Sequence, residues 1–217
     1  MPEDHRGHAP LLDTREPPRP TTVRARHAAS LLVWREAGDT PEILMGMRGA
    51  KHRFMPNRLV FPGGAVDRAD LSASSATEPS TRTRRALGRA AGTKLVHALT
   101  IAAARELREE TGLSLGVPPM LDGLDYLARA VTPANSPIRF NARFFCVHVS
   151  RVSGTLGGDG ELDNLRFYDM NEAFSLDLAA PTRRMLEQLR IWLDLSEQQR
   201  DARKHVPVLK DRGWKME

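Results

Sequence analysis

The amino-acid sequence predicts an α+β fold in which helices cover a mixed β-sheet. Short apolar runs of strand length recur along the chain, the clearest of them at 28–34, 42–48 and 138–150. Two longer segments, 100–112 and 182–195, are instead typical of helices. Because strands alternate with only a few helices, we expect the helices to pack on the faces of one sheet.

Strands are predicted in both halves of the chain. Residues 28–34 and 42–48 flank the turn-forming stretch 36–41, which indicates a β-hairpin. Residues 58–64 form a shorter apolar run that ends in Pro-Gly-Gly, so we expect a third strand that stops there. The remaining strands are expected at 127–133, 138–150 and 165–170.

The two helices are predicted by different signals. Thr100 can cap the start of the first helix, and Gly112 can end it. The second helix carries an apolar stripe at helical spacing, which favours burial in the core. That stripe consists of Met185, Leu186, Leu189, Trp192 and Leu193.

The chain of 217 residues is of a length that suggests one domain with extensions. We expect that domain over 23–203, with a flexible arm at 1–22 and a tail at 204–217. Residues 71–99, rich in Ser, Thr, Ala and Arg over most of their length, are predicted to be an insertion within the domain. Hydrophobic residues make up 41% of the chain, enough to bury a core.

Composition narrows the class of protein. No run approaches 18 apolar residues and the N-terminus lacks the apolar core of a secretory signal, so we expect a cytoplasmic protein without a membrane partner. Cys146 is the only cysteine, which excludes an internal disulfide and favours a buried thiol. The net charge is +5, and much of it lies in 71–104, where five basic residues accompany one acid. Few aromatic residues lie there, which disfavours a nucleic-acid surface; attraction of an anionic small molecule and a solvated basic loop both remain open.

Residues 105–113, Arg-Glu-Leu-Arg-Glu-Glu-Thr-Gly-Leu, form the most informative pattern in the sequence. On a helix that advances about 100° per residue, Glu106, Glu109 and Glu110 fall within one arc. Three such carboxylates repel one another, and a cation that prefers hard oxygen ligands, Mg²⁺ or Mn²⁺, would relieve the repulsion. An acidic triplet is also typical of an ordinary solvated helix face, so the pattern alone leaves both interpretations open.

A second segment, upstream, favours the metal site. Phe61-Pro62-Gly63-Gly64 is a stop whose glycines allow close backbone approach, and Asp67 and Asp70 follow it. Together the two segments resemble the signature of the Nudix hydrolases, G-x5-E-x7-R-E-U-x-E-E-x-G-U, in which U is apolar. The second half of the signature is matched at every defined position, by Arg105, Glu106, Leu107, Glu109, Glu110, Gly112 and Leu113.

The first half of the signature departs from the family pattern. Gly64 is followed, after five residues, by Asp70 where the family has glutamate. Between Asp70 and Arg105 there are 34 residues rather than seven, an apparent insertion of 27. Segments 53–56, 59–67 and 160–167 resemble a branch of the family that has a long insertion at this place and includes coenzyme A diphosphatases.

The resemblance covers roughly residues 28–195 and implies a fold, a reaction and a partner. The implied fold is an α/β/α sandwich around a mixed sheet, which agrees with the pattern of strands and helices. The implied reaction is hydrolysis of a diphosphate bond in a nucleotide-linked small molecule with Mg²⁺ or Mn²⁺, and coenzyme A or acyl-coenzyme A is the leading substrate. Because relatives are often dimers, a homodimer is compatible with the resemblance.

Carried over residue by residue, the resemblance also implies the metal ligands. Glu109 and Glu110 are the first expected ligands, and Glu106 is either the next ligand or the general base for the attacking water. Gly63 is expected to offer its carbonyl oxygen to the metal, although a simple turn glycine explains the same residue.

Three further residues are candidates for a supporting role in catalysis. Arg105 should orient a glutamate, and its spacing of one turn to Glu109 permits that pair. Glu161 lies in the Gly-rich loop 154–161, which matches a loop that supplies a catalytic glutamate in several relatives; a solvated acid explains it equally well. For Asp70, a supporting role behind the site and a plain loop residue stay equally open.

Substrate binding is predicted around the Pro-Gly-Gly stop. The arginines there can bind phosphate or a second anionic group of the substrate, although each of them alone is also typical of a solvated surface. The residues assigned to substrate binding are Arg48, Arg53, Arg58, Phe61 and Gly64.

Alternative functions remain at this point. Within the same chemistry, ADP-ribose, NADH and dinucleotide polyphosphates are alternatives to coenzyme A. A non-catalytic Nudix-like module that binds a nucleotide for regulation is an alternative of a different class. The complete set of acids on the helix argues against that module. The presence of Asp70 where the family has glutamate argues for it.

Overall fold

The structure is a computed structural model that describes residues 23–49, 56–211 and 213–217. The arm expected at 1–22 lies outside the described residues. The strands are β1 (Arg26–Ala37), β2 (Thr40–Arg48), β3 (Leu59–Val60), β4 (Gly63–Ala65), β5 (Leu113–Ser114), β6 (Asp125–Val131), β7 (Phe140–His148), β8 (Ser153–Gly154), β9 (Leu162–Asp169), β10 (Pro207–Lys210) and β11 (Gly213–Met216). The helices are α1 (Thr81–Leu87), α2 (Thr93–Thr111), α3 (Met170–Ser175), α4 (Ala180–Leu193) and α5 (Glu197–Asp201).

Nine of these strands form one mixed sheet, as predicted. Its order is β11-β10-β6-β7-β1-β2-β3, with β4 paired to β1 and β9 paired to β2. The pairs β1–β7 and β6–β10 are parallel, whereas β1–β2 and β6–β7 are antiparallel. Strands β5 and β8 form a separate two-stranded sheet.

Strand β1 lies inside the sheet and buries side chains on both of its faces. Successive side chains of a strand point to opposite faces, so Leu31 packs with Leu107 of α2, whereas Leu32 packs with Leu189 of α4. Two hydrophobic cores therefore flank the sheet, one under each helix. This arrangement confirms the α+β fold and the α/β/α sandwich around a mixed sheet.

Helix α2 begins earlier than the sequence predicted. It starts at Thr93 after Gly92, and Thr100 lies inside the helix, fully buried. The Thr100 hydroxyl donates to the carbonyl of His97 at 2.9 Å instead of capping a helix start. The prediction was wrong because the buried face continues upstream of Thr100, where Leu99 is fully buried.

The insertion and the tail both have regular structure. The insertion at 71–99 contains α1 and the first residues of α2. The tail predicted at 204–217 contains β10 and β11, and β10 pairs with β6 in parallel. Buried residues such as Val206 continue the core beyond the predicted boundary at 203.

Arg82 ties the insertion to the rest of the domain. From α1, its guanidinium donates to Asp125 at the start of β6 at 3.0 Å. It also donates to Glu197 and Asp201 of α5, at 3.0 and 2.8 Å. The Asp125 side chain is only 19% exposed, so Arg82 compensates a largely buried carboxylate.

We expect Arg82→Ala to destabilise the protein by about 1–3 kcal/mol, because Asp125 would stay buried without its partner. Thermal or urea unfolding would measure the change. The matched control is Arg84→Ala, since Arg84 lies exposed on the same helix. Adding Asp125→Asn to Arg82→Ala should recover part of the lost stability. Equal effects of Arg82→Ala and Arg84→Ala would contradict the assigned role.

Candidate active site

The acidic end of α2 is positioned by the core and by the helix stop. Leu107 of α2 is fully buried in the core between this helix and the sheet. Its burial fixes the rotation of the last two turns of α2. Gly112 ends the helix in a left-handed conformation, with φ of 73°, and its N–H donates to the carbonyl of Arg108. Glu106 and Glu110 consequently face β4, where Gly63 and Gly64 lie.

Arg105 is the centre of the charged network. Its guanidinium donates to both carboxylate oxygens of Asp70, at 3.0 and 3.1 Å, and to the carbonyl of Ala65 at 3.0 Å. It also donates to Glu106 and to Glu109, at 2.8 Å each. Arg105 therefore contacts the glutamate one turn away, as its spacing predicted, and a second glutamate beside it.

Asp70 supports Arg105 and is not a plain loop residue. Its side chain is 2% exposed and lies on a short 3-10 turn, Ala69–Leu71. It accepts the backbone N–H of Asp67 at 2.7 Å in addition to the two bonds from Arg105. Of the two interpretations left open by the sequence, the supporting role is the one that this geometry favours.

Glu110 is a buried carboxylate held by a backbone N–H. The N–H of Gly63 donates to it at 2.7 Å, and the Arg48 guanidinium lies 3.9 Å away. Burial raises the pKa of Glu110 to about 8; the Gly63 N–H and Arg48 oppose this shift, and the charges of Glu106 and Glu161 add to it. A buried acid with a raised pKa beside other acids is typical of a functional site.

Glu106 lies directly against the backbone of Gly64. A Cβ at Gly64 would lie 2.4 Å from a carboxylate oxygen of Glu106, closer than atoms can approach. Only glycine at this position leaves room for the carboxylate where it lies. Burial raises the pKa of Glu106, Arg105 opposes the shift, and the charges of Glu109 and Glu161 add to it.

The Gly-rich loop brings Glu161 to the acidic helix. The N–H of Gly157 donates to Thr111 at 2.9 Å, and that of Asp159 donates to the carbonyl of Glu109 at 3.1 Å. The loop thereby satisfies carbonyls that the end of a helix leaves without partners. Glu161 is exposed, and its charge contributes to the raised pKa values of Glu106 and Glu110.

A cavity of about 450 Å³ opens beside Gly63 and Gly64. Of the residues predicted to bind substrate, Arg48, Phe61 and Gly64 line it. Arg58 does not: it donates to the backbone carbonyl of Asp177 at 3.2 Å and pairs with its side chain. Arg53 lies outside the described residues.

Most of the cavity wall consists of residues that no sequence signal singled out. Small side chains at Ala28, Ala130 and Ala142 line it, together with Phe144 and residues at the start of α4. Alanines in strands are ordinary core residues, and only strand register shows that these three lie side by side. Signals in a single sequence do not reveal that register across three strands.

Comparison with known proteins places these features in a family. Residues 97–189 match the family model of the NUDIX domain. The chain carries a Nudix domain. The matched residues include Arg105, all three glutamates of α2 and Glu161, but they begin near the end of the insertion, so Gly63 and Asp70 fall outside them.

Relatives of this Nudix domain agree with the match. A Caenorhabditis elegans protein provisionally named nudix hydrolase 7 is 26% identical over 221 aligned positions, which cover 83% of this chain. The aligned part spans 66% of that protein's length. The likeness to Nudix hydrolases therefore rests on the domain, and the activity of the longer protein is a separate question.

Solved structures show the same fold. A NUDIX hydrolase from Alicyclobacillus acidocaldarius superposes with a TM-score of 0.60 at 24% identity, covering 76% of this chain and 90% of that one. The NUDIX domain of Shewanella oneidensis NrtR, solved in complex with ADP ribose, gives a TM-score of 0.52 at 14% identity, covering 79% and 90%. At these identities the likeness shows the fold alone.

The Nudix family generally uses a divalent metal, and the donors of this domain fit one. Glu106, Glu110 and Glu161 offer hard oxygen atoms. Burial raises the pKa values of Glu106 and Glu110, and repulsion among the carboxylates adds to both shifts. Within the described ranges, no three acidic, histidine or cysteine side chains already converge on one point. Arg105 holds Glu109, whose side chain is 45% exposed and can rotate toward an ion. The Gly63 carbonyl stays a predicted ligand, because the contact seen at Gly63 is made by its N–H.

Across the described residues, no helix of the Nudix domain combines the length and the apolar character needed to cross a membrane.

We expect Glu110→Gln to stabilise the metal-free protein above pH 7. Burial raises the pKa of Glu110 to about 8 from an ordinary value of 4.5. Ionisation therefore costs the folded state stability as pH rises from about 4.5 to 8, and this cost is absent in the variant. Melting temperatures in a chelator should favour Glu110→Gln by several degrees at pH 8.5 and differ little at pH 5.

The matched control for this measurement is Glu78→Gln, because Glu78 is exposed in the insertion and lies outside the acidic site. It should keep the pH dependence of the unchanged protein. A pH-independent difference between Glu110→Gln and the unchanged protein would contradict the buried charge.

Proposed function

We propose that the protein is a hydrolase that depends on Mg²⁺ or Mn²⁺ and cuts a diphosphate bond in a nucleotide-linked substrate. The observation that carries the proposal is the meeting of the acidic end of α2 with the cavity at Gly63 and Gly64. The cavity has room for an organic group of the substrate, while the acids beside it can act on the diphosphate. Such convergence of titratable groups with shifted pKa values on a cavity is the usual form of an active site.

The glutamates of α2 are proposed to bind the metal, and Arg105 is proposed to position them. When bound, the metal supplies positive charge to the diphosphate and makes water a better nucleophile. Glu106, Glu109 and Glu110 would hold it. Arg105 keeps Glu106 and Glu109 in place through bonds of 2.8 Å each.

The proposed hydrolysis uses one water molecule for each bond cut. The water oxygen forms a bond to one phosphorus atom while the bridging P–O bond breaks, and the bridging oxygen leaves with the other phosphate. One proton of the water passes to a carboxylate, for which Glu106 and Glu161 are the candidates. Glu161 is exposed on its loop and reachable by water, whereas Arg105 occupies one oxygen of Glu106.

Coenzyme A or an acyl-coenzyme A is the substrate that we propose within this class. The proposal rests on the resemblance of the segments around the insertion and on a cavity whose wall is mostly apolar. ADP-ribose is the main alternative, because a domain of the same fold was solved with that ligand. NADH and dinucleotide polyphosphates complete the set of alternatives.

A panel of diphosphates tests the reaction and the substrate together. The protein is incubated with Mg²⁺ or Mn²⁺ and coenzyme A, acetyl-coenzyme A, ADP-ribose, NADH or a diadenosine polyphosphate, and the products are identified by mass. Formation of 3′,5′-ADP and a phosphopantetheine species supports the full proposal. Cleavage of ADP-ribose or a dinucleotide alone keeps the reaction and rejects coenzyme A. Absence of any product, from a folded and metal-loaded protein, favours a non-catalytic nucleotide-binding module.

We expect the double substitution Glu109→Gln and Glu110→Gln to lower kcat/KM by on the order of 10²-fold or more, because both proposed ligands lose their charge. Steady-state hydrolysis of the best panel substrate measures the loss, with the melting temperature as a check on folding. Glu78→Gln, an exposed acid in the insertion, is the control and should keep full activity. Full turnover by the double variant would refute the metal site.

Gly64→Ala should reduce activity while the protein still folds. The added Cβ would lie 2.4 Å from a Glu106 carboxylate oxygen, and that flexible side chain can move away at small cost to folding. The displaced carboxylate should weaken Mn²⁺ binding and lower kcat/KM by roughly tenfold or more. Gly92→Ala is the control, because nothing lies within 4 Å of its Cβ position. Unchanged metal binding in Gly64→Ala would mean that Glu106 is not a ligand.

A further inference from the structure

The floor of the cavity is a row of small side chains in register across the sheet. Ala28 of β1 lies opposite Ala142 of β7, and Ala142 lies opposite Ala130 of β6. Leu209 of β10 completes the row beside Ala130. Farther along β1, the same face of the sheet carries Leu32, and α4 covers it there. At the alanines this face is left uncovered and forms the floor of the cavity.

The cavity is wide because it follows this row. Its wall includes Arg48 on β2 and Lys210 on β10, and these two strands are four places apart in the sheet. Neighbouring strands lie about 4.8 Å apart, so the two strands are separated by roughly 19 Å of sheet. Phe61 and Phe144 line the space between them. A flat or apolar group fits this middle part.

Basic side chains line the cavity on both sides of that middle part. Arg48 lies 3.9 Å from Glu110 and so belongs to the end where we propose diphosphate cleavage. At the β10 side, Lys210 lines the wall, and Arg184 of α4 is the third basic residue of the lining. No ion pair of Lys210 is found among the residues that the structure describes.

The acidic residues near Arg184 and Lys210 form ion pairs outside the cavity or weak ones at its wall. Arg184 donates to Glu187 at 3.1 Å, a half-exposed pair of little strength. Asp211 also lines the wall, and its carboxylate lies 3.8 Å from the Lys215 ammonium. Among the described residues that line the cavity, Asp211 is thus the only acid, against three basic residues: Arg48, Arg184 and Lys210.

We propose that Arg184 and Lys210 bind a second anionic group of the substrate, remote from the bond that is cut. The substrate class is then a nucleotide-linked diphosphate that carries a further phosphate monoester, with its base or another apolar part over the alanine floor. This inference rests on the proposed function for the cleaved bond, but the anion site itself can be measured by binding alone.

Pairs of substrates that differ only in the remote phosphate test the inference. We would compare coenzyme A with dephospho-coenzyme A, and NADPH with NADH, in the presence of Mg²⁺ or Mn²⁺. For the pair that the enzyme cleaves, KM should be lower for the phosphorylated member. Lys210→Glu and Arg184→Glu should each raise that KM about tenfold, with little change in kcat or in the KM of the other member.

Matched controls separate a local contact from the overall charge of the protein. Lys204→Glu and Arg190→Glu change the net charge equally, at exposed residues that do not line the cavity. They should leave the ratio of the two KM values unchanged. A ratio near one in the unchanged protein, or the same shift in the controls as in Lys210→Glu and Arg184→Glu, would overturn the inference while the proposed hydrolysis stands.

Binding keeps the inference testable if no diphosphate is cleaved and the proposed hydrolysis fails. Calorimetry would then compare adenosine 3′,5′-bisphosphate with AMP. Tighter binding of the bisphosphate that is lost in Lys210→Glu, but not in Lys204→Glu, supports the anion site. Equal affinity for the two nucleotides rejects it.

Discussion

The contact of Arg105 with four oxygen-bearing groups is the interaction on which the rest of the site depends. One guanidinium joins the turn that carries Asp70, the carbonyl of Ala65 on β4 and two glutamates of α2. Asp70 and Glu106 are buried enough that each would be costly without this partner. Asp70 and Arg105 also flank the long insertion, so their ion pair joins its two ends. Lengthening a closed loop from seven to 34 residues costs only about 1.4 kcal/mol in chain entropy. The Asp70–Arg105 ion pair can therefore still form across the insertion.

The features that sequence could predict are those set by local spacing. The three glutamates of α2 share one side because helical geometry fixes residues three and four apart. Gly112 ends the helix as expected, since a left-handed position there favours glycine. The strand pattern was sufficient for a mixed sheet with helices on both faces, and the resemblance carried by residues 105–113 led to the Nudix family. All of these depend on neighbours within about two turns or one strand.

The features that sequence could not predict depend on contacts between distant segments. Asp70 was ambiguous because its partner lies 35 residues away, across an insertion whose path no local signal gives. Arg58 has the chemistry to bind phosphate, yet in the fold its guanidinium forms an ion pair with Asp177. Thr100 was taken for a helix start because a threonine cap and a buried threonine look alike in sequence. The cavity was missed for the same reason, since its floor exists only once the strands are in register.

The two faces of strand β1 have different roles: one packs against α2 and the other lines the cavity. Leu31 and Val33 belong to the core under α2 and thereby hold the acidic helix. Ala28 and Ser30, on the opposite face, line the cavity. A residue exchanged on the cavity face alters depth or polarity there without entering the core that supports the glutamates. Substitution of Ala28 or Ser30 can therefore reshape the cavity, while Leu31 and Val33 keep the acidic helix in its place.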